Sequence, residues 1–128
     1  MDKLSFNAEM SNKDKRIQVQ LELYKFIEGN MYIIYCPSLD LSSYGYTEEK
    51  AKESFSETFK IYINYGINKN TLAEDMRKYG WNVKSMRQRR IKAPSTRELL
   101  GSNETLQDIV FNKNYEKISQ SVEIPQFA

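Results

Sequence analysis

Between Ile17 and Tyr24 the chain alternates without a break: Ile17, Val19, Leu21 and Leu23 are apolar, and Gln18, Gln20, Glu22 and Tyr24 stand between them. Successive strand side chains point to opposite faces, so this period of two specifies a strand with one buried face. Such a strand needs neighbours to pair with and a layer to cover its apolar side. The remaining residues have to supply both.

Glu28-Gly29-Asn30 offers residues that tolerate positive φ, and Met31 to Cys36 (MYIIYC) resumes an apolar, β-rich run, so the two segments predict a hairpin. Pro37 cannot donate to a ladder and should end the second strand. Leu39 to Tyr46 then places Leu39, Leu41, Ser43 and Gly45 on one side of a third strand. Thr47 is a good N-cap, Glu48 and Glu49 suit the positive end of a helix dipole, and Ala51, Phe55, Phe59, Tyr62 and Ile63 recur at helical spacing. That helix is expected to run to Tyr65 and stop at Gly66.

Thr71-Leu72-Ala73-Glu74 has the form of a capping box and starts a short second helix ending at Gly80. Trp81, Val83 and Ser85 alternate again and predict a fourth strand continuing toward Ile91. Beyond Ala93-Pro94, Ser95 to Glu98 opens a turn of helix that Gly101 stops. Asn103 caps another helix carrying Leu106, Ile109, Val110 and Phe111, and Ile118, Val122 and Ile124 mark an extended tail ending at Pro125. The reading is an α+β fold with order β-β-β-α-(α)-β: an antiparallel sheet of three to four strands with helices packed on one face. Residues 1–15 form a loosely ordered leader, 16–92 the core, and 93–128 a helical and extended C-terminal tail packing on or extending from it.

Composition narrows the chemistry. The 128 residues contain no histidine and one cysteine, which removes Ser-His-Asp and Cys-His catalysis, the commonest transition-metal ligand, an internal disulfide and a cysteine-rich zinc site. The five glycines lie too far apart for a phosphate loop. No apolar run approaches a membrane span, and residues 1 to 16 do not resemble a signal peptide. A cytoplasmic protein that is not an enzyme, with no cofactor, no metal and no membrane partner, is expected.

The stretch from Tyr32 to Ala51 is more particular in its spacing than in its composition: Tyr32, four residues, Pro37-Ser38-Leu39, then Ser43-Tyr44-Gly45-Tyr46-Thr47-Glu48-Glu49 and Ala51. It resembles the HicB-like antitoxin family, whose core has an aromatic strand, a Pro-x-Leu corner, a Gly-x-Thr step and an acidic, Ala-containing helix start. Tyr32, Pro37, Leu39, Gly45, Thr47 and Ala51 carry the likeness over roughly residues 17 to 65. The resemblance implies a partial ribonuclease H-like fold without catalysis, acting as an antitoxin on a small RNA-cleaving toxin and contributing to operator DNA binding. A toxin of such a system also contains a Gly-Trp step like Gly80-Trp81, but it would need a catalytic histidine that this chain does not have.

Charge is unevenly placed. Residues 1–75 hold 9 basic and 12 acidic side chains, residues 76–128 hold 10 and 5. Arg77, Lys78, Lys84, Arg87, Arg89, Arg90 and Lys92 follow one another with no acid between them, and with Tyr79 and Trp81 they could track phosphates and stack on unpaired bases. The same residues suit a solvated strand whose cations discourage edge association, and Trp81 suits the core. This basic stretch is therefore the candidate contact for nucleic acid or for a partner, and a nucleic-acid-binding module without a toxin is the alternative reading. Glu22 and Asp40 are the only acids in predicted strands or at their ends, too few for a metal-dependent nuclease. Cys36 has no neighbour to lower its pKa and reads as a small buried hydrophobe. The sheet leaves two edges, through one of which a homo-oligomer is expected.

Overall fold

The structure, a computed structural model, describes residues 16–85 and 90–125. β1 (Arg16–Glu28), β2 (Met31–Cys36) and β3 (Leu41–Gly45) form an antiparallel meander, followed by α1 (Glu48–Lys69), α2 (Leu72–Lys78), β4 (Asn82–Ser85), β5 (Arg90–Lys92), α3 (Thr96–Leu100), α4 (Glu104–Asn112) and β6 (Glu116–Pro125). The main sheet has the order β3-β2-β1-β6 with every neighbour antiparallel, so the fold is α+β. The leader expected at residues 1–15 lies outside the described residues.

The alternation of β1 is realised as read. Ile17, Val19, Leu21 and Leu23 are buried on one face together with Ile34 and Cys36 of β2 and Val122 and Ile124 of β6. Gly29 takes φ +62 at the first position of the two-residue β1–β2 loop, where a tight hairpin turn favours glycine. Above this face lies α1, whose Ala51, Phe55, Phe59 and Ile63 recur every fourth residue and are buried. Thr47 caps α1 by accepting from the Lys50 amide at 3.1 Å. Burying side chains of this size stabilises by about 1.5–3 kcal/mol each, so this stripe is the main anchor of the helix.

Several elements differ from the sequence expectation. Gly66 does not stop α1, which continues to Lys69. The left-handed residue is Asn70 (φ +60), and the Thr71 and Asn70 amides donate to the Gly66 and Ile67 carbonyls in a Schellman ending. The absent Cβ of Gly66 serves packing instead, since one would lie 3.0 Å from the Leu72 side chain. Thr71 does not form a capping box, because its ψ near 0 does not give the extended N-cap geometry. The box forms at Ser95, whose hydroxyl accepts from the Glu98 amide while the Glu98 carboxylate accepts from the Ser95 amide.

The strand beside β1 is β6, which offers ten residues of matching alternation, whereas the segment from Trp81 toward Ile91 supplies four-residue β4 and three-residue β5 as a separate two-stranded ribbon. The expected helix layer is present as α1 and α2. In addition, Leu106 and Ile109 of α4 cover the opposite face of the hairpin half, burying Tyr24, Phe26 and Tyr35 in a second cluster. The remaining length of that face, along β1 and β6, is polar: Gln18 donates to Ser121, Gln20 to Ser119, and Lys117 pairs with Glu22, each at 2.8 Å. Lys25, on the α1 side, bridges Glu48 at 2.9 Å and Glu116 at 2.8 Å.

Candidate functional site

Of the six positions that carry the family resemblance, Tyr32, Gly45, Thr47 and Ala51 lie where β3 meets α1, with Tyr32 paired to Gly45, whereas Pro37 and Leu39 lie at the β2–β3 turn at the other end of that hairpin. Pro37 ends β2, Leu39 is buried under the helix layer, and Tyr32 packs against the same core. At the end of β3, Gly45 lies so close to the start of α1 that a Cβ would sit 2.6 Å from the Ala51 nitrogen. Ser43, one of two buried polar residues among those described, donates its hydroxyl to the Ala51 carbonyl at 3.1 Å. The Gly-x-Thr spacing is thus the distance at which β3 can pass under a helix capped by Thr47. Two aromatic rings flank the junction in solvent, Tyr44 at 65% exposure on the short edge strand and Tyr46 at 76% just after it.

A second feature lies at the β2–β3 turn end of the sheet. A cleft of about 670 Å³ lies between the Pro37–Asp40 turn, the Lys78–Gly80 turn, Pro94 and the Asn103 end of α4. Beneath it, Tyr35 donates its hydroxyl to Asp40 Oδ1 at 2.8 Å and accepts from Asn103 Nδ2 at 3.0 Å, while Asn103 Oδ1 caps α4 on the Leu106 amide at 2.9 Å. Burial, with the Asp40 carboxylate adding to it, raises the Tyr35 pKa and keeps the phenol neutral. Asp40 holds a left-handed φ of +54 at this point. The chain from Asp40 through Tyr35 to Asn103 is not evident in the sequence, where only the capping role of Asn103 carries a signal.

The basic stretch is not one surface. The Arg77 guanidinium donates through Nε and Nη2 to the Val83 carbonyl at 3.2 and 2.9 Å and so clamps α2 to β4. Lys78 lies 3.5 Å from Asp75. Lys84 and Lys92 are exposed on the outward face of the ribbon, opposite the inward Val83 and Ile91. Of Arg90 the structure describes the backbone pairing with Ser85, and Arg87 and Arg89 lie outside the described residues. Trp81 is in the core, 3% exposed, with its indole nitrogen donating to the Ser38 carbonyl at 2.7 Å. Tyr79 lines the cleft, its pKa raised by burial.

Glu22 and Asp40 are each engaged separately, Glu22 by Lys117 and Asp40 by Tyr35. Among the described residues no three His, Cys, Asp or Glu side chains come together as a metal site, and no helix is long and apolar enough to cross a membrane. Cys36 is fully buried beside Ser38, and burial pushes its thiol up to about 11. Neither a family model, nor a curated protein, nor a solved structure matches the chain.

Proposed function

We propose that this protein is a non-catalytic, HicB-like antitoxin of the cytoplasm that binds and neutralises a small RNA-cleaving toxin, contributes to operator DNA binding, and self-associates through a sheet edge. The observation that carries the reading is the junction: four of the six resemblance positions, Tyr32, Gly45, Thr47 and Ala51, lie where β3 meets α1, and Tyr44 and Tyr46 stand exposed beside it. Exposed tyrosines on a rigid strand supply contact area at low entropic cost, which suits protein recognition. The buried thiol and the carboxylates of Glu22 and Asp40, engaged apart from each other, fit a binding role better than a chemical one.

The test is affinity capture of the tagged full chain from a lysate of its own cells, at high salt and with nuclease, followed by mass spectrometry and co-expression with any small basic protein recovered. Co-purification and suppression of RNA cleavage are expected, with both lost in a Tyr44→Asp/Tyr46→Asp variant that still folds. Cleavage that continues in the presence of the folded wild-type chain would refute neutralisation. A second reading, a nucleic-acid-binding module, is favoured by Lys84 and Lys92 sharing the outward ribbon face. It requires nucleic-acid retention that falls steeply with salt and with Lys84→Ala/Lys92→Ala.

A further inference from the structure

β6 pairs with β1 through ten consecutive partners without a register shift, and among the described residues it has no strand on its other side. That outer edge is roughly 33 Å of regular backbone at about 3.3 Å per residue. Proteins usually blunt such an edge with a bulge, a proline, a very short strand or an inward-pointing charge. The opposite edge, β3, is short, at five residues. β6 carries little of this: its pairing is unshifted, its proline is the last residue, and its one charge on the core face, Glu116, stands at the first position and is held by Lys25, while Ile118, Gln120, Val122 and Ile124 follow uncharged. The Gln18–Ser121 and Gln20–Ser119 hydrogen bonds pin it from the polar face as a rigid template.

We infer that β6 pairs with β6 of a second copy, antiparallel about a two-fold axis at Gln120, joining two four-stranded sheets edge to edge. An isologous antiparallel pair must set one residue opposite itself, and residues opposite each other share a face. With Gln120 on the axis, Ile118 lies opposite Val122 and Lys117 opposite Glu123 of the second copy, each twice, with Glu116 opposite Ile124 at the strand ends. Moving the axis to Ser119 sets Ile118 against Gln120 and Glu116 against Val122. Moving it to Ser121 sets Ile118 against Ile124 but also Gln120 against Val122, Lys117 against Pro125 and Ser119 against Glu123. Of the three, only the Gln120 register combines an apolar pair with a cation–carboxylate pair, and such cross-strand pairs are what stabilise one register over its neighbours. The inference rests on the proposed reading only in starting from self-association through a sheet edge. Toxin neutralisation does not enter it.

Sedimentation and light scattering of the full chain are expected to give a dimer. Lys117→Glu and Glu123→Lys each place like charges opposite at two points and should weaken dimerisation roughly tenfold, while the double exchange restores it. Gln120→Cys should form an intermolecular disulfide under mild oxidation, well ahead of a Ser42→Cys control on the β3 edge, with the buried Cys36 silent in both. A monomeric full chain, an exchange that fails to restore the dimer, or cross-linking no faster than the control would each overturn the proposal. None of these outcomes bears on whether the chain suppresses RNA cleavage.

Discussion

Gly45→Ala is the sharpest perturbation of the junction between β3 and α1. The added Cβ would meet backbone atoms, Ala51 N at 2.6 Å and Lys50 C at 2.7 Å, which cannot rotate away as a flexible side chain could. Restoring an ordinary contact of 3.4 Å needs a retreat of about 0.8 Å by the first turn of α1. A displacement of that size carries the Ser43 hydroxyl, now 3.1 Å from the Ala51 carbonyl, beyond hydrogen-bonding distance and loosens the packing of the fully buried Ala51. A lost buried hydrogen bond costs about 1 kcal/mol and overpacking about 1–3 kcal/mol, so the variant should lose about 2–4 kcal/mol. At a urea m-value of about 2 kcal/mol/M, the unfolding midpoint should fall by about 1–2 M. Trp81 is the single tryptophan and is buried, so its fluorescence reports the transition. Gly101→Ala is the control, because its Cβ would meet nothing nearer than 3.6 Å. A Gly45→Ala midpoint indistinguishable from that control would refute the close approach and, with it, the account of the Gly-x-Thr spacing.

Three further outcomes follow from buried polar groups. Trp81→Phe removes the donor to the Ser38 carbonyl and should destabilise by about 1–3 kcal/mol in urea unfolding followed by circular dichroism; a neutral substitution would mean that carbonyl has another partner. Burial raises the pKa of both Tyr35 and Tyr62, with the Asp75 carboxylate, which accepts from the Tyr62 hydroxyl at 2.7 Å, adding to the effect on Tyr62. A raised folded-state pKa contributes stability that is present below the ordinary tyrosine value of about 10 and is lost as pH rises above it; the urea midpoint should hold to that point and then fall, and a midpoint flat well into the alkaline range would contradict the burial. Cys36 should resist a thiol reagent in the native state and react fully in denaturant; native reaction at the rate of a free thiol would show that the core beneath α1 opens.

Much of this architecture was legible because local rules agreed with the packing. The alternation from Ile17 to Leu23, the turn at Gly29, the break at Pro37 and the caps at Thr47 and Asn103 are each decided within a few residues, and the structure keeps them. What failed depended on packing and pairing that local rules do not fix. Gly66 looked like a stop because glycine tolerates αL, but its use is to admit Leu72 against the helix. The ribbon segment and the tail both alternate, and only pairing length against β1 decides that β6 takes the place beside it. A signal for the second helix layer was present in β1, where Tyr24 and Phe26 are apolar at positions that Gln18 and Gln20 occupy with polar groups. At the candidate sites, sequence placed the cations but not their commitments: nothing in the run Arg77–Lys92 distinguishes Arg77, bound to a carbonyl, from Lys84, which faces solvent.

The pairing of β1 with β6 also sets an order of events in time. Its contacts join residues separated by between 91 positions, Lys25 to Glu116, and 109 positions, Arg16 to Pro125. A ribosome adding about 5–20 residues per second makes β6 roughly 5–20 s after β1. Through that interval one whole side of the nascent β1 has only water or a chaperone for its backbone, while the β1–β2–β3 meander and α1 can already collapse. Closing so long a loop belongs with the slow, non-local class of folding reactions. Newly made chains therefore pass through a state whose open edge is β1 itself, and the arrival of β6 both completes the sheet and withdraws that edge from other chains.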